Sequence, residues 1–238
     1  MQILERFHSK KSRKGHRLVA MAFMLMLTAV PHIAAGSNDV AEMSIDEAID
    51  MAYDEYIRDV SPDAMRPYAA MSICGESEID AAHMARFVLR HNPDFDPQIA
   101  REFIRAGSRY GIRGDIAFCQ AIVETGWFKY TGGTAVTADS HNYCGLGVTS
   151  KGRKGAKFAT VADGVTAHIQ HLYAYCTTDA LPPGERKLDP RFDMVIRGCA
   201  KRWHELNGRW AMNSRYSTAI LSVYASLNEF AGKSKCQK

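Results

Sequence analysis

Apolar and polar positions alternate with helical spacing on either side of one stretch that has no period. The first helix is predicted from Ser44, where Ser44 and Glu47 form a capping box, to about Asp59. Pro62 and Pro67 interrupt the chain beyond it. A second helix is predicted from about Asp80 to His91, stopping before Asn92-Pro93. Asp96-Pro97 pairs an N-cap residue with proline at the first helical position. That third helix carries Ile99, Phe103 and Ile104 and closes at Tyr110-Gly111. A fourth begins at Asp115 and is apolar almost throughout, from Ile116 to Val123, until it meets Glu124.

From residue 127 to residue 160 the period is lost among glycine, threonine, serine and lysine. Within it, 157–161 (KFATV) predicts a short strand. Asp163 is expected to cap the next helix, whose apolar stripe is Val165, Ile169, Leu172 and Cys176. Asp189-Pro190 is expected to open another, with Val195, Ile196 and Cys199 inward. A last helix is predicted from about Asn213 to Phe230, with Tyr216, Ile220, Val223 and Leu227 on one face, before a frayed tail at 232–238. The order predicts a mainly α (α+β) fold, in which a helical lobe and a small β-rich or loop lobe enclose a cleft.

The N-terminus reads differently. Lys10, Lys11, Arg13, Lys14 and Arg17 precede an apolar run at 18–30, and Ala34, Ala35 and Gly36 offer a cleavage site. Residues 1–36 therefore read as a secretory signal peptide, with an uncleaved anchor as the alternative. This changes the meaning of the charge. The chain is +4; residues 1–36 hold six Lys/Arg and one Glu, so the remainder is +4 − 5 = −1. The basic balance belongs to the targeting segment and is no nucleic-acid footprint. Residues 37–80 hold 12 acids and 2 arginines, net −10, which leaves +9 on 81–238. The division is an acidic helical extension at 37–70 and a body at 71–231, and the basic balance of 81–238 suits an anionic partner such as a bacterial wall. Cys74, Cys119, Cys144, Cys176, Cys199 and Cys236 show no CxxC spacing. An even number in an exported protein permits disulfides, and Cys176 with Cys199 would close a short helix–loop–helix segment. Cys119, inside the apolar helix, reads as a small buried hydrophobe.

Glu124 is the candidate for chemistry. Apolar surroundings, the negative end of the helix and a wall of Trp127 and Phe128 would all raise its pKa. A glutamic acid kept protonated near neutral pH suits the protonation of a glycosidic oxygen. The plainer reading is a surface glutamate at a helix end. His168-x-x-His171 has helical spacing but no third ligand, so no metal is expected.

Six ordered blocks carry a resemblance: ICGESEIDAAHMARFVLRHNP (73–93), GIRGDIAFCQAIVETGWF (111–128), HNYCGLG (141–147), FATVADGVTAHIQHLYAY (158–175), DPRFDMVIRG (189–198) and GRWAMNSRYSTAILSVY (208–224). Together they resemble the glucosaminidase family of peptidoglycan hydrolases, glycoside hydrolase family 73. The resemblance implies a lysozyme-like fold that needs no cofactor and cleaves the bond after N-acetylglucosamine in wall glycan strands. It implies Glu124 as the catalytic acid and Tyr216 as the tyrosine facing it. Asn142, Tyr143 and Gly145 would line the groove, and Trp127, Tyr173 and Trp210 would be platforms for sugars. The loop where some relatives hold a second carboxylate, 148–157, has Lys151, Arg153, Lys154 and Lys157 but no acid. Asp139 is then the candidate base, Asp163 being committed to capping; otherwise the 2-acetamido oxygen of the substrate would serve. Two rivals stand: a lytic transglycosylase giving 1,6-anhydro products, and a wall-binding module without catalysis. The chain carries no visible wall-binding repeat and reads as a monomer.

Overall fold

The computed structural model describes residues 53–57, 62–130, 136–148 and 155–235. The Ser44–Glu47 box, the targeting segment, Lys151, Arg153, Lys154 and Cys236 lie outside the described residues. Among the described residues five helices of nine residues or more frame the molecule, α1 Ala81–Leu89, α2 Pro97–Tyr110, α3 Gly114–Thr125, α4 Val161–Cys176 and α5 Tyr216–Lys235, beside a short helical turn at Pro62–Met65. Residues 53–57 add a helical turn packed beside them.

The predicted Asp96 cap forms, and the helix expected from about Asp80 starts there with Asp80 as its cap. Asp80 accepts from His83 N at 2.9 Å and starts α1, which buries Met84, Phe87 and Val88. Asp96 accepts from Gln98 N at 2.8 Å, Pro97 follows, and α2 ends on Gly111 at φ 63°, a left-handed position that glycine adopts without strain. The third helix has no exposed face: every residue from Gly114 to Thr125 is buried. It packs against α1, α2 and α5, while α4 lies along α2. Its entry is pinned by Arg113, whose Nε and Nη2 each bond Asp115 at 2.9 Å, while Nη1 reaches Glu78 at 2.8 Å and Nη2 reaches the Tyr224 hydroxyl at 2.6 Å. A bidentate pair with further donors is what keeps the fully buried Asp115 charge tolerable. Gly114 is required by contact, because a Cβ there would lie 2.3 Å from the Phe103 carbonyl oxygen.

The mainly α expectation holds, and several elements differ in detail. No strand forms among the described residues; only isolated bridges occur, such as Ser72 with Arg202 and Cys74 with Ile112. The KFATV stretch forms no strand, because the chain bends at residues 159 and 160 and Val161 already begins α4. The small lobe is thus loop, with a 3-10 turn at Ala138–Ser140. Thr160, not Asp163, caps α4: its hydroxyl accepts from Asp163 N at 3.0 Å. Asp163 is instead bonded by Thr160 and Arg186, each at 2.9 Å. The helix expected after Asp189-Pro190 is only a 3-10 turn, Phe192–Met194, and Ile196 is 80% exposed instead of inward. The tail expected to fray from 232 continues in α5 as far as Lys235. Cys176 lies against Cys74, 2.8 Å between sulfurs, rather than against Cys199.

Candidate active site

The last turn of α3 delivers Glu124 into the space between α4, α5 and the loop at 207–215. Thr125 closes the helix by bonding Ala121 O through its hydroxyl at 2.7 Å and taking Phe128 N at 2.9 Å. Gly126, Trp127, Phe128 and Tyr130 then all have φ between 51° and 61°. Three of these are not glycines, and a left-handed conformation costs each about 1 kcal/mol or more. Their rings hold the turn in place. Trp127 lies flat on His91, centroids 3.7 Å apart, with Tyr56 and Phe87 around it, and Phe128 packs on Phe95, Phe118 and Tyr143.

Glu124 is 4% exposed. One carboxyl oxygen, Oε1, accepts two hydrogen bonds: from the Tyr216 hydroxyl at 2.5 Å and from Trp210 Nε1 at 3.0 Å. Both donors favour the charged form, but burial outweighs them and the pKa is pushed up to about 7. With Oε1 saturated, Oε2 is the natural seat of the proton.

Behind this pair runs a buried relay of fixed polarity. Gln120 Nε2 donates to the Tyr216 oxygen at 2.6 Å, which leaves Gln120 Oε1 to accept from His168 Nε2 at 2.9 Å. Burial pushes the His168 pKa down to about 3, so the ring is neutral, and its Nε2 carries the hydrogen that Gln120 takes. The Tyr216 hydroxyl, facing a donor on one side, must point its own hydrogen at Glu124. Burial and the charge of Glu124 also hold the Tyr216 pKa well above its ordinary value, which keeps that hydrogen in place. Gln120 escaped sequence reasoning, and His168 was weighed there only as a metal ligand. One signal was available: Gln120 stands four residues before Glu124, on the same face of a helix.

Trp210 is caged rather than free. His171 and Tyr175 pack around its ring at 4.7 and 5.7 Å, and His171 is itself held by Asp189 at 2.7 Å. A concavity beside it is lined by Cys144, Gly145, Leu146, Arg191 and Arg209. Cys144 and His171 share that concavity, but burial drives the thiol well above its ordinary pKa, the opposite of an activated nucleophile. On the far side, Tyr53 meets the Tyr216 ring edge-on at 6.2 Å, and burial, with smaller effects of Glu55 and Glu124, pushes the Tyr56 hydroxyl well above its ordinary pKa.

The other expected site residues separate into two groups. Tyr216, Trp210 and Gly145 lie at the site, although Trp210 serves Glu124 through its N–H. Asn142 is fully buried and spends its amide on the loop: Nδ2 donates to Leu146 O and Ala156 O at 2.9 and 3.0 Å, and Oδ1 accepts from Leu146 N at 3.0 Å. It shapes the groove from behind. Tyr143 packs into the core against Phe103. Tyr173 bonds Ala180 O at 2.9 Å and packs on Tyr110. Trp127 is engaged by His91, so the groove candidate Tyr143 and the platform candidates Tyr173 and Trp127 all spend ring faces on packing, and the wall expected beside Glu124 is supplied by Trp210 and Tyr216. Asp139 stands on the surface of the small lobe, paired with Lys157 at 2.9 Å and with Thr137; these bonds hold its pKa down at about 2. His168 and His171 are committed to Gln120 and Asp189, and no group of metal-binding side chains occurs among the described residues.

A buried acid at a helix end, bonded by a tyrosine from the last helix, sits inside a stretch that known proteins share. Residues 100–229 match the model of the glucosaminidase family, described as mannosyl-glycoprotein endo-beta-N-acetylglucosaminidase. The chain belongs to the glucosaminidase family. The match runs from within α2 through α3 and α4 into most of α5, and so contains every residue of the Glu124 relay. An uncharacterized protein of Borreliella burgdorferi is 28% identical over 185 residues, covering 76% of this chain and 89% of that protein. No solved structure matches the chain. No helix among the described residues is long and apolar enough to cross a membrane.

Proposed function

We propose that this glucosaminidase-family protein is exported and hydrolyses the β-1,4 bond after N-acetylglucosamine in peptidoglycan, with Glu124 as general acid. The observation that carries the reading is the environment of Glu124: a carboxyl held at about 7 by burial, one oxygen fixed by Tyr216 and Trp210, the other left for substrate. Glu124 Oε2 gives its proton to the leaving glycosidic oxygen as the C1–O bond breaks. The hydrogen-bond partners of Glu124 are neutral donors, and Asp139 is tied to Lys157 at the surface. The 2-acetamido oxygen of the substrate therefore takes the nucleophile's place and bonds C1. Water then adds to C1 and passes a proton to the Glu124 carboxylate, which reopens the acetamido ring and leaves the enzyme as it began.

Product analysis on purified wall tests both bond and reaction. Reducing-end N-acetylglucosamine is expected, and Glu124→Gln is expected to abolish its release. Anhydro-muramic ends would overturn hydrolysis in favour of the transglycosylase. Asp139→Asn is expected to keep turnover within about two-fold, since its carboxylate is exposed and paired with Lys157 and Thr137; a loss of a hundred-fold, the scale of a missing acid–base group, would place Asp139 in the reaction instead.

A further inference from the structure

Cys74 and Cys176 stand 102 positions apart in sequence, yet their sulfurs lie 2.8 Å from each other. That is only about 0.8 Å beyond the S–S distance of a disulfide. The approach is imposed by backbone on both sides. Cys74 bridges Ile112, with Ile73 N bonded to Lys201 O and Arg113 N to Ile73 O, each at 2.9 Å. Cys176 is the final residue of α4, and the chain returning past that helix end is held by Gly198 N to Ala174 O at 3.1 Å and Ala200 N to Tyr175 O at 3.0 Å. The remaining described cysteines are placed differently. Cys119 is buried in α3, Cys144 packs with Leu146 and Phe158 in the small lobe, and Cys199 is half-buried.

We propose that Cys74 and Cys176 form a disulfide in the exported protein, stapling the segment before α1 to the C-terminal end of α4. The exchange partner is a protein or small-molecule disulfide, and the order of attack is set by exposure. Cys74 is exposed and Cys176 buried. The bond it shares with Cys176, helped by Lys201, holds the Cys74 thiol below its ordinary pKa, as suits the attacking group. The Cys74 thiolate attacks the donor disulfide and expels one donor thiolate. Cys176 then loses its proton and attacks the Cys74 sulfur of the mixed disulfide, expelling the second. Two protein thiols are oxidised and one donor disulfide is reduced to two thiols. The staple bears on the site because α4 also carries His168, His171 and Tyr175, which support the Tyr216 relay and the Trp210 cage.

The test uses the full chain, purified from the export compartment without reductant, alkylated with N-ethylmaleimide under denaturing conditions and digested. Mass spectrometry is expected to find the Cys74 and Cys176 peptides joined, separating on reduction, with Cys119, Cys144 and Cys199 alkylated. N-ethylmaleimide on both Cys74 and Cys176, or a Cys176–Cys199 peptide, overturns the proposal. Incubating a reduced sample with glutathione disulfide tests the geometry independently of where the cell sends the protein, and the same pair is expected. Wild type with reductant, Cys74→Ser, Cys176→Ser and the double variant are expected to melt together, about 5–15 °C below the oxidised protein. Losses that add in the double variant, or a melting point indifferent to reductant, would show two packed thiols and no bond.

Discussion

Glu124→Gln should make the protein more stable at pH 8 while it destroys activity. The folded carboxyl titrates at about 7 against an ordinary 4.5, a difference of 7 − 4.5 = 2.5 units. Each unit corresponds to about 1.4 kcal/mol, so the full linkage is about 3 kcal/mol. The sign depends on which state holds the proton. Below pH 4.5 both states are protonated and the group is neutral in the balance. Between 4.5 and 7 the folded protein keeps a proton that the unfolded chain has released, so stability falls as pH rises. Above that, the fold carries a buried carboxylate and the whole cost. Glutamine has the same shape, keeps an oxygen for Tyr216 and Trp210, and does not titrate. Its amide hydrogens add a cost of about 1–3 kcal/mol if they find no acceptor, but that cost does not vary with pH. Urea melts of both proteins from pH 4 to 8 isolate the linkage: the stability difference, variant minus wild type, should climb by about 3 kcal/mol across the range. In thermal melts this corresponds to about 6–12 °C. A difference that stays flat with pH would refute the raised pKa, and with it the reason for assigning Glu124 as the acid.

Three other substitutions probe the surroundings of the acid. Tyr216→Phe removes a donor that favours the charged form, so the alkaline limb of the pH–activity profile should move up by about 1 unit while kcat falls; a downward move would contradict the assigned direction of that bond. Asn142→Ala should lower stability by about 2–4 kcal/mol in denaturant melts, because it strips partners from the buried carbonyls of Leu146 and Ala156; a raised KM at unchanged stability would instead make Asn142 a substrate contact. Tyr56→Phe should raise the melting temperature by a few degrees, since the buried Tyr56 hydroxyl has no hydrogen-bond partner among the described residues and such a group costs about 1–3 kcal/mol; a clear drop in melting temperature would reveal a partner for that hydroxyl.

Much of the helical frame was legible because its signals are local. Asp96-Pro97 and Gly111 sit within the turn they control, and the continuous apolar run of α3 announced a helix buried on all sides. Asp189-Pro190 offered the same start signal and no helix formed. There the start signal itself is made, Asp189 Oδ1 accepting from Arg191 N at 2.8 Å, but Oδ2 is held by His171 and the backbone N–H donates to Gln170, so the aspartate is drawn into the fold while the chain beyond it closes only a 3-10 turn and runs over the surface. The same contrast governs the site. Glu124 was visible as an acid ending an apolar helix. Its actual wall was not, because Trp210 and Tyr216 are 86 and 92 positions away and the rings adjacent in sequence, Trp127 and Phe128, turn aside through left-handed backbone into packing of their own. Aromatic residues near an acid in sequence are a poor guide to the aromatic residues near it in space.

The relay explains why burial alone would have made a worse acid. A carboxyl in a dry pocket with no donor is pushed up further, and once protonated it would have little tendency to release its proton to the substrate. Two donors on a single oxygen pull the value back toward neutrality and also decide which oxygen bears the proton. That requires the Tyr216 hydrogen to point one way only, which Gln120 secures by donating to the same oxygen, and Gln120 is in turn fixed by a histidine that burial keeps neutral. His168→Asn, which can still place an N–H near Gln120, should therefore retain more activity than His168→Leu at equal folded fraction, with the gap appearing in kcat and in the alkaline limb rather than in KM. Equal kcat for the two variants would mean that the Gln120 amide holds its orientation unaided, and that the histidine contributes packing alone.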